Sequence, residues 1–206
     1  MSRYTGPRVK KMRALGTDLP GLSRKTMWDR AYPPGEHGPK NARRRKESDF
    51  KKQLLEKQKL RFNYGLTERQ FRKLFVEARK DKAPTPDKFL EFLERRLDNA
   101  VFRAGFAATI PAARQLVRHR HVLVNGKRVD IPSFRVQVGD EITLKTASKE
   151  LAIVKESVEK PTLQRPEWMR FDEDTMTAKV AELPTSDAVP FPVEMQLIVE
   201  YYSKRL

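Results

Sequence analysis

The sequence predicts an α+β fold, and three observations carry that expectation. Apolar side chains recur at helical spacing through residues 48–97, they alternate around Asn125-Gly126 in residues 122–129, and chain breakers and basic residues dominate 1–46. The first pattern reads as helices and the second as a β-hairpin. The third reads as an extended arm with too little apolar surface to fold alone.

Each element follows in order. Gly6-Pro7, Leu19-Pro20-Gly21, Pro33-Pro34-Gly35 and Gly38-Pro39 are turn signals. Arg3, Arg8, Lys10, Lys11, Arg13, Arg24, Lys25, Arg30 and Lys40 fill the gaps, and Arg43-Arg44-Arg45-Lys46 closes the arm, which is expected to order only against a partner. A helix is expected from Ser48 to about Tyr64, with Phe50, Leu54, Leu60 and Tyr64 on one face and Gly65 as its stop. Thr67-Glu68-Arg69-Gln70 fits a capping box, and Phe71, Leu74, Phe75 and Ala78 form the stripe of the helix that follows. Ala83-Pro84-Thr85-Pro86 breaks the chain, and a third helix starts at Pro86 with Phe89, Leu90, Leu93 and Leu97 apolar. Phe50, Phe71, Phe75 and Phe89 sit at helical spacing and are expected in a core rather than as base-stacking platforms.

The texture changes near residue 94. Arg95-Arg96-Leu97-Asp98-Asn99 leads into a short helix that ends near Gly105. Thr109 caps another, in which Ala113, Leu116 and Val117 pack while Arg114 and Arg118 face outward. The Asn125-Gly126 hairpin, a turn at Val138-Gly139-Asp140-Glu141 and the strand Ile142-Thr143-Leu144 complete this unit. Beyond it come a short helix with Leu151, Val154 and Val158 on one face and strands near 167–171 and 175–182, with Asp172-Glu173-Asp174 as a solvated turn between them. A closing helix over 193–203 would turn Leu197, Ile198 and Tyr201 to a core.

Charge points to the partner. The 206 residues carry 43 Lys and Arg against 27 Asp and Glu, a net +16. Residues 1–82 hold 24 basic and 9 acidic side chains, a net +15, whereas residues 151–206 hold 7 and 10, a net −3. An excess this uneven marks a polyanion-facing end and a different surface at the other. The chain has no Cys, which excludes disulfides, thiol nucleophiles and Cys-ligated metals. No apolar run reaches the roughly 18 residues of a membrane span, and Met1 to Arg8 lack a signal-peptide core, so a soluble, intracellular protein is expected. Phosphate-cradling glycine loops, metal-ligand spacings and a nucleophile elbow are all missing, and His37, His119 and His121 read as polar contacts, so no enzyme is expected.

Several blocks then carry a resemblance: Arg3-Tyr4-Thr5-Gly6-Pro7, Tyr32-Pro33-Pro34-Gly35-Glu36-His37-Gly38, Gln53 to Arg61 with Tyr64-Gly65, Leu93 to Asn99, Gly105-Phe106-Ala107, Ala113 to Val117, His121, Val124-Asn125-Gly126, Ile131-Pro132-Ser133-Phe134, Gly139-Asp140, and Leu197 to Ser203. In this order and over nearly the whole chain they resemble the bacterial-type small-subunit ribosomal protein number four. The resemblance implies a mostly helical domain with an inserted small RNA-binding module of two helices on a small antiparallel sheet, and an extended basic N-terminal arm. The corresponding boundaries are 1–46 for the arm, 47–93 completed by 184–206 for the helical domain, 94–158 for the module and 159–183 for its strand-containing extension. The family binds a multi-helix junction in the 5′ domain of 16S rRNA, nucleates the body of the small subunit, touches small-subunit protein number five at an interface that affects decoding accuracy, and lines the mRNA channel entrance. Some members repress translation of their own operon. The implied setting is the cytoplasmic small ribosomal subunit, with neither membrane nor small-molecule substrate as partner.

Three departures stand out. Many relatives hold zinc through four N-terminal Cys, so this chain looks like the metal-free variant, with no cofactor. Ile110 stands where relatives often have Arg, and Arg120 where Gly is frequent. RNA recognition of this kind reads shape, phosphate and 2′-hydroxyl, for which arginine forks are suited. The candidate contacts are Arg3, Arg8, Lys10, Lys11 and Arg13 in the arm, and Arg43, Arg44, Arg45, Lys46, Lys51, Lys52, Lys57, Arg69, Arg72 and Lys73 in the helical domain. In the module they are Arg95, Arg96, Arg103, Arg114, Arg118, Arg120, Asn125, Lys127 and Arg128. Asp98 is expected to cap a helix or pair with an arginine. The same module also occurs in rRNA-modifying enzymes, fused there to a catalytic domain for which this sequence shows no signature.

Overall fold

The basic N-terminal segment is held against the body of its own chain. In the computed structural model, which describes residues 4–36, 38 and 48–205, the order of elements is α1 (Arg8–Leu15), α2 (Asp49–Asn63), α3 (Glu68–Arg79), α4 (Thr85–Glu94), α5 (Leu97–Arg103), α6 (Ile110–Arg118), β1 (Val122–Val124), β2 (Lys127–Arg128), β3 (Glu141–Leu144), α7 (Thr146–Lys149), α8 (Ala152–Glu159), β4 (Met169–Asp172), β5 (Thr177–Val180) and α9 (Met195–Ser203). The mixed α+β class expected from the sequence is the class observed.

The segment expected to be extended therefore contains a helix. Gly16 ends α1 in the left-handed conformation (φ 66°), open to a residue without Cβ. Met12, Leu19 and Leu22 are buried in the common core. Gly21 makes the closest approach: its N–H donates to Asn63 Oδ1 (2.9 Å), and its carbonyl accepts from the Ile110 N–H (2.8 Å). A Cβ there would lie 2.9 Å from the Asn63 carbonyl oxygen. A segment poor in apolar residues folds here because a preformed body offers the other half of its contacts.

The helical patterns of α2 to α4 appear, the first two with side-chain caps. Ser48 caps α2 by accepting from the Lys51 N–H. Thr67 and Gln70 form the reciprocal box that opens α3. Helix α4 begins one residue before Pro86, and Leu97 opens α5 instead of closing α4, because the chain turns at Arg95 and Arg96. The core gathers Phe71, Phe75, Phe89 and Tyr202: Phe71 meets Phe89 edge-on at 4.9 Å, and Phe75 stacks on Tyr202 at 4.6 Å. Phe50 is not part of it. It lies in the first turn of α2, half exposed at 49 %, stacked on Tyr201 (6.1 Å), with the Arg205 guanidinium against both rings (4.9 Å from Phe50 and 4.3 Å from Tyr201).

Helix α9 packs along α2 through polar contacts as well as apolar ones. Gln53 donates to Glu200 (3.0 Å), the Glu194 N–H donates to Glu56 (3.1 Å), and Glu68 accepts from both Lys57 and the Tyr202 hydroxyl (2.9 Å each). Burial, then the neighbouring Glu68, raise the Tyr202 hydroxyl far above its ordinary pKa, so it stays a donor.

One five-stranded antiparallel sheet runs in the order β2-β1-β3-β5-β4. Asn125 and Gly126 turn β1 into β2 with φ of 50° and 74°, both in the left-handed region that a two-residue hairpin of this type requires. Inward residues Val122, Val124, Ile142, Leu144, Ala178 and Val180 are buried.

Arg135 ties this part to α3. Its guanidinium grips the Glu77 carboxylate with two hydrogen bonds (2.6 and 2.7 Å) and lies 4.1 Å from the centre of the Phe92 ring. The Arg135 hydrogen bonds hold the Glu77 carboxyl below its ordinary pKa. The stabilisation is thus fully present above the unfolded carboxylate pKa and is lost as the pH falls through the lower folded value. In Glu77→Gln the acid limb of a stability–pH curve is expected to be shallower than in wild type. Superimposable limbs would show that the grip contributes nothing.

Candidate nucleic-acid interface

The candidate cations divide by burial. Lys57, Arg96 and Arg103 lie inside the chain, which removes them from the nucleic-acid-facing set. A buried cation needs an anion of its own. Lys57 has Glu68 at 2.9 Å, Arg96 grips Asp98 with two hydrogen bonds (3.0 and 2.8 Å), and Arg103 lies 3.5 Å from Glu94 and donates to the Ala188 carbonyl at 2.7 Å. Arg114 also turns inward instead of outward, 3.4 Å from Asp98 and 3.5 Å from the Gly65 carbonyl. Burial lowers its pKa, opposed by Asp98. Arg95 is half-buried, paired with Glu91 (2.7 Å) and donating to the Val136 carbonyl (2.9 Å).

Two fully buried carboxylates organise these cations at the α4–α5 junction. Asp98, in the first turn of α5, accepts from Arg96, Arg114 and the Asn99 N–H. Glu94 accepts from the Tyr64 hydroxyl and from Asn99 Nδ2 (3.0 Å). Burial raises the Glu94 pKa, with Arg103 acting against it. The same burial, with Glu94 beside it, raises Tyr64. The effect is to fix the turn between the helical body and the module. Sequence reading expected Asp98 to cap a helix or pair with an arginine, and the pairing is what is observed; Glu94, which has no local signal, was missed.

The remaining candidates are on the surface. Arg8, Lys10, Lys51, Lys52, Arg69, Arg72, Lys73, Arg118, Arg120, Asn125, Lys127 and Arg128 are exposed, and Lys11 and Arg13 are half-exposed. Lys11 sits over the Tyr4 and Phe62 rings (5.7 and 5.3 Å). Arg13 covers Tyr32 (4.7 Å) and donates to the Tyr32 carbonyl (3.0 Å). The arm folds Lys10 and Arg13 together with Arg24, Lys25 and Arg30 around one open cleft of about 630 Å³, which Asp29 also lines. Arg24, Lys25 and Arg30 were visible in the sequence only as gap-filling cations between turn signals. Arg3 and Arg43, Arg44, Arg45 and Lys46 lie outside the described residues, as does His37.

At the end of α6, Asp130 gathers the module's cations. Its carbonyl accepts from Arg118 (3.4 Å) and its carboxylate from Arg120 (3.1 Å), two residues from Arg128 on the β2 edge. Asn125 is not a free contact: its side chain bonds Asp140 (2.7 Å) and the Glu141 N–H (2.9 Å). His121 Nδ1 lies 2.8 Å from Ser148 Oγ, and burial lowers its pKa, with His119 and Lys145 adding to the effect. The ring therefore stays neutral and structural. Arg120 stands at φ 63°, where a side chain costs about 1–2 kcal/mol. Its exposed pair with Asp130 returns about 0–1 kcal/mol. Arg120→Gly is expected to raise unfolding stability by roughly 1 kcal/mol in urea titration. A lower midpoint would mean that the ion pair outweighs the strain.

The comparisons with known proteins agree with this geometry. The family model described as the ribosomal protein S4/S9 N-terminal domain matches residues 3–94, and the one described as the S4 domain matches residues 95–142. The seam between them is the Glu94–Arg95 turn. Small ribosomal subunit protein uS4 of Methylobacillus flagellatus is 64% identical over 206 residues, and uS4B of Nitrosomonas europaea is 61% identical over 206, each covering all of both chains. The Lacticaseibacillus casei uS4 is 50% identical over 207 residues, again end to end. With two family models meeting at the Glu94–Arg95 turn and full-length relatives at this identity, the chain belongs to the small ribosomal subunit protein uS4 family.

Proposed function

We propose that this chain is a structural constituent of the small ribosomal subunit and a primary binder of 16S rRNA, docking on the multi-helix junction of the 5′ domain and nucleating assembly of the subunit body. The observation that carries this reading is the segregation of cations. The buried ones are held against Asp98, Glu94 and Glu68, while the solvent-facing ones line the arm cleft, α3, the end of α6 and β2, where Arg24 pairs with Glu156 and Arg120 with Asp130 at the surface. A-form RNA offers phosphates and 2′-hydroxyls to such a surface, not base edges. Arg8, Lys10, Lys51, Lys52, Arg69, Arg72, Lys73, Arg118, Arg120, Lys127 and Arg128 form the proposed contact set, with Arg24, Lys25 and Arg30 added from the arm cleft.

The division into an arm (1–46), a helical domain (47–93 with 184–206), a module (94–158) and its strand extension (159–183) belongs to the same proposal. The packing of α9 on α2 and the turn at Glu94 support it. The acidic C-terminal quarter is assigned to a protein neighbour, small-subunit protein number five. That contact, the place at the mRNA channel entrance, the effect on accuracy and repression of the chain's own operon rest on the family resemblance. The cytoplasmic small subunit is the matching location.

Binding of the full chain to a 5′-domain transcript tests the reading. If about six phosphates are neutralised, affinity is expected to fall on the order of 10²–10³-fold between roughly 50 and 200 mM salt, at about 0.7 log units per log unit of salt for each phosphate. An affinity that stays flat across that range would overturn the multi-phosphate mechanism. Duplex DNA competing as well as the transcript would overturn the RNA assignment.

A further inference from the structure

We propose that Asn125-Gly126 is a latent site of spontaneous deamidation, and that Asp140 holds the reaction off in the folded chain. The proposal stands on the chemistry of the turn and not on the RNA-binding reading. The reaction needs the backbone nitrogen of residue 126 to reach the side-chain carbonyl carbon of Asn125, and glycine has no side chain to shield that nitrogen. Both residues are exposed at the tip of the hairpin, and a Cβ placed on Gly126 would meet no heavy atom within 4 Å.

The chemistry balances with water as the one added reactant. The Gly126 nitrogen attacks Asn125 Cγ, and the new C–N bond closes a five-membered succinimide. The Cγ–Nδ2 bond breaks, and Nδ2 leaves as ammonia with the proton that the Gly126 amide gives up. Water then opens the ring at either carbonyl and leaves aspartate or isoaspartate at 125.

Orientation is what stands in the way. Asn125 Nδ2 donates to Asp140 Oδ1 at 2.7 Å, and Asn125 Oδ1 accepts from the Glu141 N–H at 2.9 Å. Only the oxygen can accept from a backbone N–H, which fixes the end of the amide that faces each partner. The Asn125 N–H also donates to the Glu141 carbonyl at 2.9 Å. Asp140 is seated in turn by the Gln137 N–H at 2.7 Å. Swinging Cγ onto the Gly126 nitrogen breaks both side-chain bonds. The product does not fit the turn it came from. A carboxylate at 125 would set an oxygen against Asp140 Oδ1 with no donor between them. Isoaspartate would also lengthen the backbone inside the Val124↔Lys127 register. Either outcome opens the hairpin that carries Lys127 and Arg128.

The test incubates the full chain at mildly alkaline pH and physiological temperature. Conversion at residue 125 is followed by peptide mapping and by isoaspartyl methyltransferase labelling. The arms are native wild type, wild type unfolded in urea, Asp140→Ala and Asp140→Asn, the variants being checked for native circular dichroism. The unfolded chain and Asp140→Ala are expected to convert on the order of tenfold faster than native wild type, the effect of losing one charge-assisted hydrogen bond. Asp140→Asn, which keeps an acceptor in place, should fall between. Native wild type converting as fast as the unfolded chain would overturn the proposal. Folded Asp140→Ala converting at the native rate would remove Asp140 from it.

Discussion

Asp98→Ala is expected to lower the unfolding free energy by about 3–5 kcal/mol, the cost of leaving a buried cation without its anion. Asp98 is wholly buried and answers Arg96 with both oxygens, Arg114 with one and the Asn99 N–H with the other. Alanine leaves the Arg96 guanidinium, itself buried, facing an empty site between α5 and α6. Asp98→Asn keeps the shape and one acceptor and should cost less. Urea titration of the three proteins checks the order. A loss in Asp98→Ala below about 1 kcal/mol, the range of an exposed pair, would mean that the two arginines find other partners.

Phe71→Ala is expected to cost about 3–5 kcal/mol through the cavity it leaves. The ring is fully buried, edge-on to Phe89 at 4.9 Å, with Tyr202 at 6.3 Å. Aromatic contacts of this kind add about 0.5–1.5 kcal/mol to simple burial. The location of the loss is diagnostic: Tyr202 belongs to α9, so hydrogen exchange in α9 should quicken more than in β1 or β3. Phe71→Leu, which refills most of the volume, should recover most of the stability. Uniform exchange changes across the chain would argue against α9 depending on this cluster.

Local features were legible in the sequence. The Thr67–Gln70 box, the Thr109 cap and the Asn125-Gly126 turn are decided within a few residues, and each appears where the spacing placed it. What the sequence hid was decided by distant contacts. Arg114 sits at an outward position of α6 by periodicity, yet the Asp98 carboxylate and the Gly65 carbonyl draw it in. Lys57, Arg96 and Arg103 look like any surface cation until Glu68, Asp98 and Glu94 are seen beside them. Phe50 lies on the apolar stripe, but α9 covers only one side of it. The arm needed a docking surface from Phe62, Asn63 and Ile110, far from it in sequence. Charge composition found the class of partner. Separating buried, fold-holding cations from solvent-facing ones required coordinates.

The seating of α9 on α2 has a consequence for how the chain comes into being. Tyr201, Tyr202 and Glu200 bond residues made some 130–150 positions earlier. While a ribosome is still synthesising the chain, the helical body lacks the side chains that close it, and Tyr202, the ring neighbour of Phe75 and Phe71, has not yet left the exit tunnel. The α5–α6 pair and the β1–β3 strands close on nearer neighbours and can form as soon as they emerge. The newborn protein thus acquires its middle before its body, and its last nine helical residues act as the stopper that finishes it.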